Sequence, residues 1–187
     1  MKPQTLVLGA AQVRILPDPE ALSRAAADEF FRVAREATFQ RGRFAVALSG
    51  GQTPRGLYEF LVTCPRARIG KLPWEKMQIF FGDERLVSPD HADSNFRMVR
   101  ETLLANGRIP LANVHRIQGE LDPQQAADLY ETHLRTFFGP TLSGPPSFDL
   151  VLLGLGTDGH TASLFPGTGA LAEQHRWGSA NWVGRLH

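Results

Sequence analysis

FDLVLLGLGTDGHTASLFPG, residues Phe148 to Gly167, is the stretch on which the fold turns. Phe148 to Leu153 is an apolar run of strand length, and Gly154, Gly156 and Gly159 close it in a turn that ends on His160. A short apolar run bounded by glycines predicts a central strand of a parallel sheet, buried on both faces. Glycines there allow positive φ or close approach of backbone to a ligand, and the carboxyl edge of such a sheet is where open α/β proteins bind small molecules. His160 therefore stands where chemistry is expected.

Working outward, the same grammar repeats. Phe44 to Leu48 and Met77 to Phe81 are further apolar runs, the first entering Ser49-Gly50-Gly51-Gln52-Thr53-Pro54 and the second Gly82-Asp83-Glu84-Arg85. Leu6 to Ala11 reads as a first strand and Val114 to Ile117 as a brief one. Helices are predicted over Pro19 to Gln40, from Pro54 onward, over Asn95 to Ala105 with Asp93 or Ser94 as cap, and over Pro123 to Phe138. Leu22, Ala26, Phe30, Val33 and Ala37 share a face of the first, and Ala126, Leu129, Tyr130, His133 and Phe137 a face of the last. Pro65 to Pro73 and Gly139 to Pro146 read as loops. Alternation of strands and helices predicts an α/β protein, a three-layer αβα sandwich on a mainly parallel, Rossmann-like sheet, in one domain spanning residues 1–187.

Composition excludes several classes. Twenty basic and nineteen acidic residues leave a net charge of +1, so no global field points to nucleic acid or to an acidic surface. One cysteine, Cys64, excludes an internal disulfide and suits a reducing, cytoplasmic setting. No run is long enough to cross a bilayer, and Leu6 to Ala11, followed by Arg14, Asp18 and Glu20, is too short for a signal peptide. The six histidines form no ligand-like pair on one helix face, so no metal is expected. His133 reads as a bonded structural histidine, and Trp74, Trp177 and Trp182 as core or edge packing.

Three constellations carry chemistry. A strand, SGGQTP and a helix form an arrangement that holds phosphate: amides of the turn and first helical turn converge, the helix dipole adds to them, and Ser49 and Thr53 bring hydroxyls. No Lys-Ser/Thr follows the glycines, so a nucleotide triphosphate is not implied. Arg85 offers paired donors to a phosphate or carboxylate, and Asp83 is placed to orient that arginine or a histidine. Imidazole takes and returns protons near neutrality, which makes His160 the candidate base and Asp158 the residue to fix its tautomer. Gly154-x-Gly156-x-x-Gly159 matches the dinucleotide fingerprint in letters only, because Pro166 cuts short the helix it needs and no acid lies at the required distance.

Together, ALSGGQTPRGLYEFL at Ala47 to Leu61, FFGDERLVSPDHADSNFRMV at Phe80 to Val99 and FDLVLLGLGTDGHTASLFPGT at Phe148 to Thr168 resemble the 6-phosphogluconolactonase family. The related glucosamine-6-phosphate deaminases share the phosphate loop and the Asp-Gly-His turn, while Arg85 and Thr161 to Phe165 look like the lactonase versions. The resemblance implies hydrolysis of 6-phospho-D-glucono-1,5-lactone in the oxidative pentose phosphate pathway by a cytoplasmic enzyme, without metal or cofactor. It implies His160 as base, assisted by Asp158 and Asp83, and a phosphorylated sugar lactone bound by Ser49, Gly50, Gly51, Thr53, Arg85, Asn95 and Gly156. A monomer is favoured, with neither nucleic acid nor membrane as partner. Alternatives are an amino-sugar-phosphate deaminase or isomerase and a non-catalytic phosphosugar-binding module. Family members continue past Ala180 to His187 into a further strand and helix, so the chain is expected to be C-terminally incomplete relative to them, leaving a sheet edge and apolar surface uncovered.

Overall fold

A computed structural model describes residues 4–64, 72–105, 107–139 and 144–184. Gln4–Leu8 (β1) and Ala11–Ile15 (β2) form an antiparallel hairpin, apart from the main sheet. This corrects the reading of Leu6 to Ala11 as a first strand: Gly9, at φ 61°, turns the chain back within that run. Pro19–Arg41 (α1) then leads to Phe44–Leu48 (β3), Gln52–Thr63 (α2), Met77–Phe81 (β4), Asn95–Glu101 (α3), Val114–His115 (β5), Pro123–Phe138 (α4) and Leu150–Val151 (β6). Strands β3 to β6 make a parallel sheet in the order β5-β4-β3-β6.

Side-chain alternation sorts the sheet into two faces. Phe44, Val46 and Leu48 of β3, with Met77, Ile79 and Phe81 of β4, pack into the larger core with α1, α2 and residues of α3. Ala45, Ala47 and Phe80 point the other way, onto Tyr130 and Leu134 of α4. The three-layer sandwich predicted from the alternation of elements is thus observed, with β3 fully buried at its centre. Full burial of one aromatic such as Phe80 stabilises by roughly 2–3 kcal/mol, which makes these two strands the frame for the loops that follow them.

The opening stretch departs from its prediction. Only Leu150 and Val151 are strand, and β6 is the edge of the sheet. Among the described residues it pairs with β3 alone, through bonds such as Leu152 N to Ala47 O at 2.9 Å. Val151, Leu153 and Leu155 are exposed. An apolar run cannot state whether both its flanks are paired, and here one flank has no strand beside it among the described residues. Smaller differences have local causes. The Asn95 helix stops at Glu101, where Thr102 folds its hydroxyl onto Met98 O, and β5 ends at His115. In α4, Leu129 is exposed and Ala127 and Leu134 are buried in its place; in α1, Leu22 is exposed while Ala27, Phe31 and Ala34 join Phe30 and Ala37 inside.

Cys64 is buried at the end of α2, and Trp74 is buried, whereas Trp182 is 84% exposed. Residues 65–71 and 140–143, within the two predicted loops, lie outside the described residues. Among the described residues no helix is long and apolar enough to cross a membrane, and no cluster of three metal-ligating side chains occurs.

Candidate active site

Both glycine-containing turns and the Asp83 loop emerge at the carboxyl end of the parallel strands, and one cleft of about 280 Å³ is lined by all three. Its walls include Ser49 to Pro54, Asp83, Arg85, Asn95, Gly156 and His160. A neighbouring cavity of about 390 Å³ shares Asp83 and Ala162 but holds neither the start of α2 nor His160. The smaller space is therefore the one with donors and a base together.

The cradle is made by the start of α2. Gly51 is its N-cap, at φ 101°, and neither a side-chain cap nor an acidic residue occupies the first turn. The other described α-helices differ: Asp18 caps α1, Ser94 caps α3 and Asp122 caps α4, each by accepting a backbone amide. Helix α2 thus leaves its first amides and its positive dipole end to the cleft. Gly50 is required by crowding, since a Cβ there would run into the buried Asn95 amide. Ser49 Oγ donates to Gly50 O at 3.1 Å, so its proton is already engaged, while Thr53 is exposed on the cleft wall.

Glu84 and Asp83 have separate tasks. Glu84 accepts from Asn95 N at 2.7 Å, Phe96 N at 2.8 Å, Arg85 N at 2.8 Å and Ser94 Oγ at 3.2 Å, which locks α3 onto the loop after β4. Asp83 accepts from Ser163 Oγ at 2.7 Å and from Asn95 Nδ2 at 3.3 Å. The expectation that Asp83 orients Arg85 or His160 is not met: its oxygens are turned to Ser163 and Asn95 instead, joining the β4 loop to the histidine turn. Arg85, exposed at the cleft, forms no ion pair among the described residues. Asn95 spends its amide on the Asp83 carbonyl, at 3.0 Å, and carboxylate.

His160 Nδ1 lies 2.5 Å from Asp158 Oδ1, the contact expected to fix the tautomer. That bond holds the Asp158 carboxyl below its usual range, so it is ionised at neutral pH and its acceptor fixes the proton on Nδ1. Nε2 has no protein partner among the described residues, and the ring stacks on Phe165 at 4.1 Å between centroids. Asp158 itself stands behind the imidazole and off the cleft wall. Gly156 faces that ring so closely that a Cβ would overlap it, so this glycine makes room for the base. Gly159 takes the positive φ expected of it, 85°, and beside the turn Ala162 adopts φ 49°, an uncommon conformation for a residue with a Cβ. Asn181 Nδ2 donates to Ser163 O at 2.7 Å and Thr168 Oγ1 at 3.0 Å, tying the later chain to the turn. Sequence reasoning missed Glu84, Ser163 and Asn181, whose partners are distant or are backbone atoms.

This geometry defines a Rossmann-like α/β protein with a helix start left without a side-chain cap, a guanidinium without an ion pair among the described residues and an oriented imidazole around one cleft. Residues 17–183 match the family described as glucosamine-6-phosphate isomerases/6-phosphogluconolactonase, and the chain belongs to that family. It is 46% identical over 165 residues to a 6-phosphogluconolactonase of Nostoc sp., covering 88% of this chain and 66% of the relative. It is 53% identical over 137 residues to one from Synechocystis sp., covering 73% and 55%. The solved 6-phosphogluconolactonase of Trypanosoma brucei superposes with a TM-score of 0.74 at 33% identity, over 86% of this chain and 65% of that one. The chain thus spans under two thirds of these relatives' length. His133, as expected, is bonded, its Nε2 2.7 Å from His115 Nδ1, and it does not line the cleft.

Proposed function

We propose that this chain carries the catalytic cleft of a 6-phosphogluconolactonase, hydrolysing 6-phospho-D-glucono-1,5-lactone to 6-phospho-D-gluconate. The observation that carries the reading is the meeting, in one cleft, of an uncapped helix start with an imidazole whose Nδ1 is bound by a carboxylate. The names of the relatives agree with it. The phosphate sits on the amides of Gly51, Gln52 and Thr53 and is clamped by Arg85, which fixes the lactone carbonyl by its far end. His160 Nε2 takes a proton from water as the water oxygen bonds to the carbonyl carbon. The tetrahedral oxyanion then collapses, the bond from that carbon to the ring oxygen breaks, and the imidazolium returns the proton to the departing oxygen. Asp158 stabilises the imidazolium between the two transfers. A lactone is an activated ester, so neither metal nor covalent intermediate is required. The reading places the protein in the cytoplasm as a monomer acting on a free phosphosugar, with neither nucleic acid nor membrane as partner.

The test is His160→Ala. Turnover above spontaneous hydrolysis should fall by about 10²–10⁴, the usual contribution of a general base, while affinity for inorganic phosphate stays within about twofold. Unchanged turnover removes His160 from the mechanism. Ammonia release from glucosamine 6-phosphate by the unmodified chain would instead assign the cleft to the deaminase branch.

A further inference from the structure

Both backbone groups of Ser49, the first residue past β3, are taken by one phenol. Ser49 N donates to Tyr58 Oη at 3.1 Å, and Tyr58 Oη donates to Ser49 O at 2.8 Å. Tyr58 belongs to α2 and is fully buried. The bond spans nine positions of chain, and the segment it encloses contains the entire cradle, Gly50 to Pro54. Burial lifts the phenol far above its ordinary titration range, so the hydroxyl remains both donor and acceptor. The chain has two tyrosines, and the second repeats the chemistry elsewhere: Phe81 N donates to Tyr130 Oη, and Tyr130 Oη donates to Phe81 O, each at 3.0 Å. That bond joins residues 49 apart and encloses no single turn.

We propose that Tyr58 is a positioning residue for the anion cradle, bracing the end of β3 against α2 so that the amides of the intervening turn converge on a phosphoryl group before one arrives. The inference deepens the function proposed above and rests on it. Amides held in place lose nothing on binding, whereas a turn free to relax must be ordered by its ligand, and that cost appears as weaker affinity. Chemistry at His160, on another turn, does not pass through the brace. Tyr58 therefore affects substrate binding and not the proton transfers.

The experiment compares Tyr58→Phe with Tyr130→Phe in the full chain, with inorganic phosphate as the calorimetric probe and the phospholactone as substrate. Tyr58→Phe should raise the phosphate Kd and the KM about tenfold, the scale of one lost hydrogen bond, and leave kcat within about twofold. Tyr130→Phe should lower thermal stability comparably and leave Kd and KM within about twofold. Equal effects from both variants, or an unchanged phosphate Kd in Tyr58→Phe, overturn the inference. Absence of phosphate binding by the unmodified chain overturns the cradle reading and this inference together, so the two failures are distinguishable. Should Tyr58→Phe not fold, amide hydrogen exchange of the unmodified chain decides: phosphate should slow exchange at Ser49 along with Gly51 to Thr53, and a Ser49 amide that ignores phosphate while the others slow overturns the brace.

Discussion

Helices α2 and α3 both open near the carboxyl end of the sheet, and their first turns are satisfied in opposite ways. The start of α3 is closed from within: Ser94 caps it, and the Glu84 carboxylate accepts the amides of Asn95 and Phe96. The start of α2 has Gly51 in the cap position and no carboxylate in its first turn. One protein thus holds a filled and an unfilled version of the same electrostatic site, some forty residues apart. The filled one shows what the unfilled one selects for: an acceptor with negative charge, brought from outside.

The largest effect should come from emptying the filled site. Glu84→Ala removes four accepted hydrogen bonds and leaves the amides of α3 without their acceptor. We expect a loss of about 2–3 kcal/mol, the combined scale of a lost cap and of hydrogen bonds to a charged group, read from urea unfolding. A variant as stable as the parent would mean that Ser94 alone closes α3 and that the two helix starts differ less than their geometry implies.

Filling the unfilled site is the smaller, inverse change. Gln52→Glu places a carboxylate on the first turn of α2, at an exposed position. Stability should rise by about 0.3–1 kcal/mol through the helix dipole, while phosphate affinity falls about fivefold and recovers partly at high salt. Opposite signs in two measurements distinguish competition for the amides from general damage. If stability and affinity rose together, the anion would be binding elsewhere in the cleft.

The contrast also marks where sequence sufficed. Strands β3 and β4 were legible because a five-residue stretch that is apolar throughout in β3, and at all but Gln78 in β4, beside glycine or charge describes a buried strand whose end is a loop, and the cradle followed from Ser49-Gly50-Gly51 at such an end. The pairing of Asp158 with His160 was legible because it is local. Phe148 to Leu153 misled because apolar character is shared by central and edge strands, and coverage of a flank is decided by chain far away. Asp83 was assigned the wrong partners for a related reason: Ser163 is 80 positions distant, and nothing in the spacing of Asp-Glu-Arg distinguishes a hydroxyl from an imidazole as the group it will meet. Glu84 and Tyr58 went unread because each acts on backbone amides, which every residue possesses and no motif records.

The smallest expected effect concerns the acid lability of the fold. His115 lies between Gln78, whose Oε1 is 2.9 Å from its Nε2, and His133, and it stacks on Phe80 at 4.3 Å. Burial, with His133 adding to it, lowers its pKa to about 4. In the unfolded chain an ordinary histidine binds its proton near 6.5, so between these values the unfolded state carries more protons and stability must rise with pH. The contribution is fully present above about pH 6.5, is lost progressively as the pH falls to about 4, and changes no further below that. The ring is only partly buried, so the loss amounts to a modest slope in unfolding free energy, well short of acid denaturation. His115→Phe should flatten the slope between pH 4 and 6.5, read from urea unfolding at several pH values, while phosphate affinity at neutral pH stays within about twofold, because His115 does not line the cleft. An unchanged slope would mean that His115 takes no part in the acid loss of stability, and a shifted phosphate affinity would mean that packing between β5 and α4 reaches the cleft.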